Sequence, residues 1–249
     1  MEKISAVIIT FNEENNIERC IKSLKDVADE IIVMDSHSTD RTKQICISQN
    51  VRFYTEDWRG YGPMKNNANS LATHNYILSI DADEAVSDQM KASILSEKEK
   101  GLVGVYIFNR LTNYCGKWIK HCGWYPDKKV RLFPKDNVYW KEELVHETLF
   151  IPEQISTKHL KGDLLHYSFN TVDEHKQKVI KYATLAAKSK AHETCPVLFL
   201  KSMFNPIIRF IRTYVVQLGF LDGTKGFTIC KLMAYEVFLK YHLAKKERA

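Results

Sequence analysis

Three carboxylates stand within four residues in Ser79-Ile80-Asp81-Ala82-Asp83-Glu84, directly after the apolar run His74-Asn75-Tyr76-Ile77-Leu78. Alternate residues of an extended segment face the same side, so Asp81 and Asp83 can reach one cation. Hard carboxylate oxygens suit Mg2+ or Mn2+, ions that keep several waters and bridge substrate phosphates. The same residues have a plainer use, as an acidic turn in solvent or as a cap for the next helix. Without a cation, the three charges are expected to repel one another.

The elements that must position them are legible upstream. "ISAVII" (4–9) is a short β-branched run that ends at Thr10-Phe11-Asn12. In "EENNIERCIKSL", Ile17, Cys20, Ile21 and Leu24 recur at helical spacing. "EIIVMD" (30–35) reads as a second buried strand, after which Ser38 is placed to cap a helix running to Gln49. "VRFYT" is a third strand, Met64–Thr73 a helix and "NYILSI" (75–80) a fourth strand. Strands alternating with helices predict an α/β fold with a largely parallel sheet. In such sheets ligands bind beyond the carboxyl ends of the strands. That places Thr10–Glu13, Asp35-Ser36 and Asp81–Glu84 on one rim, a convergence that favours the cation over the acidic turn.

After about residue 100 the pattern changes. "VGVYIFN", "KKVRLF" and "DLLHYSF" predict strands joined by irregular segments, and from Thr171 onward the chain reads as helical. Arg131 alternates with apolar neighbours in "KKVRLF", so it is expected to face away from the core. There it could bind a phosphate bidentately or form a surface salt bridge. Trp118, Trp124, Tyr125 and Trp140 crowd one window, and at least two of them are expected in the core. The six cysteines contain no CxxC pair, which points to a reducing compartment rather than a disulfide framework. His121 between Cys115 and Cys122 lacks the second close pair that a zinc site needs. "MEKISAVIITFNEE" does not read as a signal peptide, and no apolar run is long enough to span a membrane.

Three ordered motifs, "AVIITFNEENNIERCIKSL", "EIIVMDSHSTDRT" and "ILSIDADE", together resemble the nucleotide-binding half of family 2 glycosyltransferases of the GT-A fold. "NRLTNYCGKWIKHCGWYPDKKVRLFPK" followed by "WKEELVHETL" extends the likeness. This region is similar to bacterial transferases that add glucose to a heptose of the lipopolysaccharide or lipooligosaccharide inner core. The resemblance implies a mixed, mainly parallel sheet flanked by helices. It divides the chain into a transferase domain at 1–170 (nucleotide-sugar half 1–100, acceptor half 101–170) and a helical, basic region at 171–249. It implies a UDP-sugar donor and a lipid-linked saccharide acceptor, with Mg2+ or Mn2+ as cofactor.

Residue by residue, it places Thr10, Asn12 and Glu13 around the uridine and Asp35 on the base or ribose. Asp81 falls near the ribose, Asp83 on the metal and Lys65 near the nucleotide, unless Lys65 is merely a solvated residue at a helix start. An inverting transfer also needs a general base for the acceptor hydroxyl. Glu147 in "LVHETL", flanked by apolar residues, is favoured and Asp127 is second. Glu142-Glu143 read as a solvated pair. His146 is either a further metal ligand, a diphosphate contact or a structural histidine.

The net charge of +6 is concentrated late. Residues 196–249 carry nine Lys/Arg against three Asp/Glu. In "PVLFLKSMFNPIIRFIRTYVVQLGF", Lys201, Asn205, Arg209 and Arg212 form a polar stripe beside Phe199, Phe204 and Ile208. A basic amphipathic helix of this kind can lie on an anionic membrane, with the stripe expected outward, or it can cap the domain. Pro206 is expected to perturb or start a helix there, which would break the stripe. A nucleic-acid-binding role fits less well, because the cations are interleaved with hydrocarbon rather than clustered in a patch. The expected location is cytoplasmic, peripheral on the inner face of the inner membrane. Alternatives within the enzyme class are another UDP-sugar or a polyprenyl-phosphate acceptor.

Overall fold

The computed structural model describes residues 2–141, 148–190 and 192–248. By packing, the chain forms two units, one of residues 1–110 and 127–166, the other of 111–126 and 167–249. The segment 111–126 therefore packs with the helical part of the chain.

The first unit is built on a sheet whose strands lie in the order β3-β2-β1-β4-β8-β6-β11-β5. These are β1 (Ile4–Thr10), β2 (Glu30–Asp35), β3 (Arg52–Thr55), β4 (Tyr76–Asp81), β5 (Glu84–Val86), β6 (Val105–Tyr114), β8 (Asp127–Pro134) and β11 (Thr157–Phe169). A short β7 (Lys117–Ile119) pairs with the far end of β6, within the second unit. Strands β1 to β4 are parallel, whereas β8 is antiparallel to both β4 and β6. All seven residues of β1 are buried, as expected of a central strand covered on both faces. The expected mixed, mainly parallel α/β architecture is thus the one observed.

Helix α1 (Ile17–Leu24) buries Ile17, Cys20, Ile21 and Leu24, the four residues whose spacing marked it. Two local expectations are corrected. Helix α2 spans only Thr42–Ser48, because Ser38 is engaged elsewhere: its Oγ donates to Asp35 and accepts from the Asn12 N–H. Helix α3 covers Tyr61–Ser70, about one turn earlier than predicted, starting after Gly60 at φ 100°. Helix α4 (Asp88–Lys100) is capped by Ser87, whose side chain accepts from the Met90 N–H. A short hairpin of β9 (Tyr139–Trp140) and β10 (Leu149–Phe150) completes the unit.

The second unit is helical. Helix α5 (Val172–Lys188) opens with a reciprocal capping box between Thr171 and Glu174, which satisfies two otherwise orphaned amides. Helix α6 (Cys195–Ile211) runs on through Pro206, and helix α7 (Gly223–Arg248) packs against it. The predicted break at Pro206 is absent, since the ring removes one donor without ending the helix.

The orientation of α6 is the reverse of the one expected. Its polar stripe faces inward: Lys201 pairs with Glu193 at 2.6 Å, the Asn205 amide donates to the Tyr241 hydroxyl and Arg209 Nε is buried. Glu193 and, on α7, Tyr241 supply the partners that hold Lys201 and Asn205 against the usual preference for outward polar groups. Of the expected stripe, Arg212 is exposed. Among the described residues, no helix is long and apolar enough to cross a membrane.

Of the four clustered aromatics, Trp140 is buried. Trp124 packs edge-on to Tyr114 in a small core with Phe169 and His175. Trp118 and Tyr125 are half-buried.

Candidate active site

The parallel register brings three strand ends level. Thr10 lies opposite Asp35, Ile9 opposite Asp81 and Asp35 opposite Thr55. At the end of β1, Thr10 Oγ1 is buried without a hydrogen-bond partner in the protein. An orphaned hydroxyl is costly to bury, and a polar ligand at this rim would satisfy it. Asn12 adopts φ 53°, a left-handed conformation that Asn tolerates better than most residues. Its Oδ1 accepts from the Thr39 N–H at 2.8 Å. Glu13 accepts from Asn16 Nδ2 at 2.8 Å. At the end of β2, Asp35 is buried, and both its oxygens are engaged by Ser38.

The three acidic residues of the β4 terminus meet three different fates. Asp81 pairs with Lys65 Nζ at 3.0 Å and with Arg131 Nη2 at 2.6 Å. Glu84, fully buried, accepts from Arg131 Nη2 at 2.6 Å, from Arg110 Nη1 at 3.4 Å and from the Asp81 N–H at 3.0 Å. Arg110 in turn grips Asp127 through Nε and Nη2 at 2.9 and 2.7 Å, and Lys129 closes on Asp127 at 3.1 Å. The result is a ladder of alternating charge, Lys65–Asp81–Arg131–Glu84–Arg110–Asp127–Lys129.

The expected mutual repulsion is therefore overturned, since buried charges persist when paired and most of these are. Burial alone would raise the Asp81 carboxyl, but Arg131 and Lys65 outweigh it and hold that group well below the usual carboxylate range. Burial likewise disfavours the Arg131 charge, and Asp81 with Glu84 more than restores it.

Asp83 is separate. Strand β4 ends at Asp81 and residues 82–83 form a turn, so the alternation that was to align Asp81 with Asp83 stops one residue too soon. The Asp83 carboxylate instead lies 3.2 Å from Nε2 of His166. His166 stands opposite Glu84 in the β11–β5 pairing. It was missed in the sequence because nothing local in "DLLHYSF" marks it. Only strand pairing across 83 residues joins it to Asp83.

Arg131 is also corrected: it is buried at 3% exposure and faces its ion pairs, not an open cleft. Lys65 is likewise buried rather than solvated, with Nζ 4.5 Å from the centre of the Trp140 ring. Asp127 is the first residue of β8 and is held by Arg110. Glu142, Glu143, His146 and Glu147 lie outside the described residues.

A divalent ion fits this rim. Asp83 and His166 offer one oxygen and one imidazole nitrogen, both partly accessible at 25% and 14% side-chain exposure. Mn2+ and Mg2+ with nucleotides are commonly held by one or two protein groups, the diphosphate and water supplying the rest. Among the described residues, no group of three His, Cys, Asp or Glu could hold an ion by itself, and that includes the Cys115, His121 and Cys122 neighbourhood.

Acidic and basic groups gathered at the carboxyl edge of an α/β sheet mark the place where ligands bind in folds of this class. The family follows from sequence: the profile described as Glycosyl transferase family 2 matches residues 5–150, more than half of the chain, and the protein belongs to that family. It is a glycosyltransferase, with a nucleotide-sugar donor and a glycan acceptor.

Among its relatives is the lipopolysaccharide core biosynthesis glycosyltransferase LpsC of Rhizobium meliloti, 29% identical over 96% of this chain and 93% of LpsC. An uncharacterised glycosyltransferase of Rickettsia typhi is 26% identical over 96% of this chain and 86% of its own. Among solved structures, glucosyl-3-phosphoglycerate synthase from Mycobacterium tuberculosis with Mn2+, UDP and glucosyl-3-phosphoglycerate aligns with a TM-score of 0.45. It is 17% identical, over 70% of this chain and 74% of that one.

Proposed function

We propose that this protein is a metal-dependent, inverting glucosyltransferase that moves glucose from UDP-glucose to a heptose of a lipopolysaccharide or lipooligosaccharide inner core. The observation that carries the metal and donor site is the Asp83–His166 pair, 3.2 Å apart beside the Lys65–Asp81–Arg131 cluster. The acceptor class is supported by the likeness to LpsC along nearly the whole of both chains.

Asp83 and His166 hold Mg2+ or Mn2+, which when bound neutralises charge on the departing diphosphate. Thr10, Asn12, Glu13 and Asp35 line the uridine, with the unpartnered Thr10 hydroxyl as the donor it lacks. Asp81, kept ionised by Arg131 and Lys65, contacts the ribose. Glu147 is the general base, with Asp127 as the alternative. The lipid-linked acceptor places the enzyme on the cytoplasmic face of the inner membrane as a peripheral protein.

The test is thermal unfolding with UDP, with and without Mn2+, against GDP, ADP and NAD. A ligand at about 100-fold excess over its Kd adds roughly 2.7 kcal/mol, which at this chain length raises the midpoint by about 5–10 °C. A metal-dependent shift specific to UDP, absent in Asp83→Ala and in His166→Ala, is the expected result. A shift of equal size in both variants would remove them from the metal site. A donor panel of UDP-glucose against UDP-galactose then decides the sugar.

A further inference from the structure

With its polar stripe turned inward, α6 presents hydrocarbon to the outside. Leu200, Met203, Phe204, Ile207, Ile208 and Ile211 are each 48–61% exposed and recur at intervals of three and one, along one broad face. From Leu200 to Ile211 that face is about 17 Å long, and it continues past the helix end to Val216, 71% exposed. Scattered apolar residues on a surface are ordinary, but a contiguous patch of this size marks an interaction site.

Charge decides between the occupants. The second unit holds sixteen Lys/Arg against six Asp/Glu, a formal +10, which leaves −4 for the first. A two-fold contact between copies through α6 would be isologous and would bring two strongly cationic units together. An anionic bilayer complements that charge instead. Cations stand at the margin of the apolar face: Arg212 directly follows Ile211, and Lys245 Nζ lies 5.3 Å from the centre of the exposed Phe199 ring.

We propose that the apolar face of α6 inserts into the interfacial layer of an anionic phospholipid membrane, with the surrounding lysines and arginines at headgroup level. The hydrocarbon supplies the attachment and the cations supply the lipid preference. This is the opposite polarity from a helix lying on its basic stripe, and it predicts a different salt response. The surface lies within the second unit and is independent of the donor site, so either can fail without the other.

The experiment is co-sedimentation of the full chain with phosphatidylcholine vesicles, with and without phosphatidylglycerol, at low salt and at about 1 M salt, where the screening length falls to about 3 Å. The double substitution Ile207→Glu with Ile208→Glu is compared throughout. Wild type is expected to sediment with the mixed vesicles at both salt levels and less strongly with phosphatidylcholine alone. The double variant should partition at least about tenfold less, while keeping the wild-type unfolding midpoint and its response to UDP.

Three outcomes overturn the proposal. Wild type could stay in the supernatant with every vesicle. Its binding could vanish at about 1 M salt, which would make the attachment purely electrostatic. Light scattering could show a wild-type dimer that the double variant dissociates, which would make the face a contact between copies.

Discussion

The β4 terminus and helix α6 place their residues against ordinary expectation in opposite senses. At the β4 terminus the full charges of Glu84, Arg131 and Lys65 are buried, while along α6 large hydrocarbons are in water. The buried charges are stable because each has a counter-charge within reach: Arg131 alone bridges Asp81 and Glu84. The exposed hydrocarbons lie away from Leu198, which α6 buries, and from Lys201, Asn205 and Arg209, which are half-buried. Internal pairing explains the first arrangement, whereas the second makes sense with a partner outside the chain. The contrast separates residues that hold the protein together from residues that it offers to something else.

Substitutions should separate the two regions by the size of their effect on stability. Replacing Arg131 by Met leaves Asp81 and Glu84 without their shared cation, and breaking a buried pair in this way costs about 3–5 kcal/mol. Urea unfolding should show that loss, and a cost under about 1 kcal/mol would mean that the ladder is wetter than its geometry indicates.

The next effect is one of pH. Glu30, at the amino ends of the strands, is raised by burial but lowered more by hydrogen bonds from Ser5, Thr73 and Arg52, which bring its carboxyl to about 2. A carboxyl depressed on folding stabilises above its unfolded pKa and ceases to do so as pH falls through the folded one. Up to about 3 kcal/mol should therefore disappear between roughly pH 4.5 and 2. In Glu30→Gln that part of the acid dependence should be missing.

Smaller still is Lys201→Met. Its pair with Glu193 is partly solvated, and exposed pairs are worth about 0.2–1 kcal/mol. Smallest is Ile207→Ser on the outer face of α6, expected to lie within about 0.5 kcal/mol of wild type in unfolding experiments. A large destabilisation there would show that the face is packed against protein in solution, and the contrast between the two regions would collapse.

What could be read in the sequence followed periodicity. The Ile17, Cys20, Ile21 and Leu24 spacing gave α1 because helix geometry repeats locally, and the apolar runs at 4–9 and 30–35 gave the central strands for the same reason. Ser38 has the residue type of a helix cap, but Ser can also close a loop onto a carboxylate, and Asp35 sits three residues before it. His166 could not be joined to Asp83, since strand pairing rather than any local pattern unites them. For α6, spacing showed that a polar and an apolar face exist. Which one turns inward depended on Tyr241 and Glu193, on either side of the helix in sequence.

Lys65 has one further consequence. Its ammonium group sits 4.5 Å from the centre of the Trp140 indole, in a pocket where Nε1 of that ring has no hydrogen-bond partner. A positive charge held over an aromatic face interacts with its electrons, so the ring experiences a fixed local field while Lys65 stays on Asp81. Any ligand that draws the lysine toward a diphosphate changes that field. The molecule thus contains its own optical gauge: the emission of Trp140 should move when the rim is filled, without a label and before any sugar is transferred.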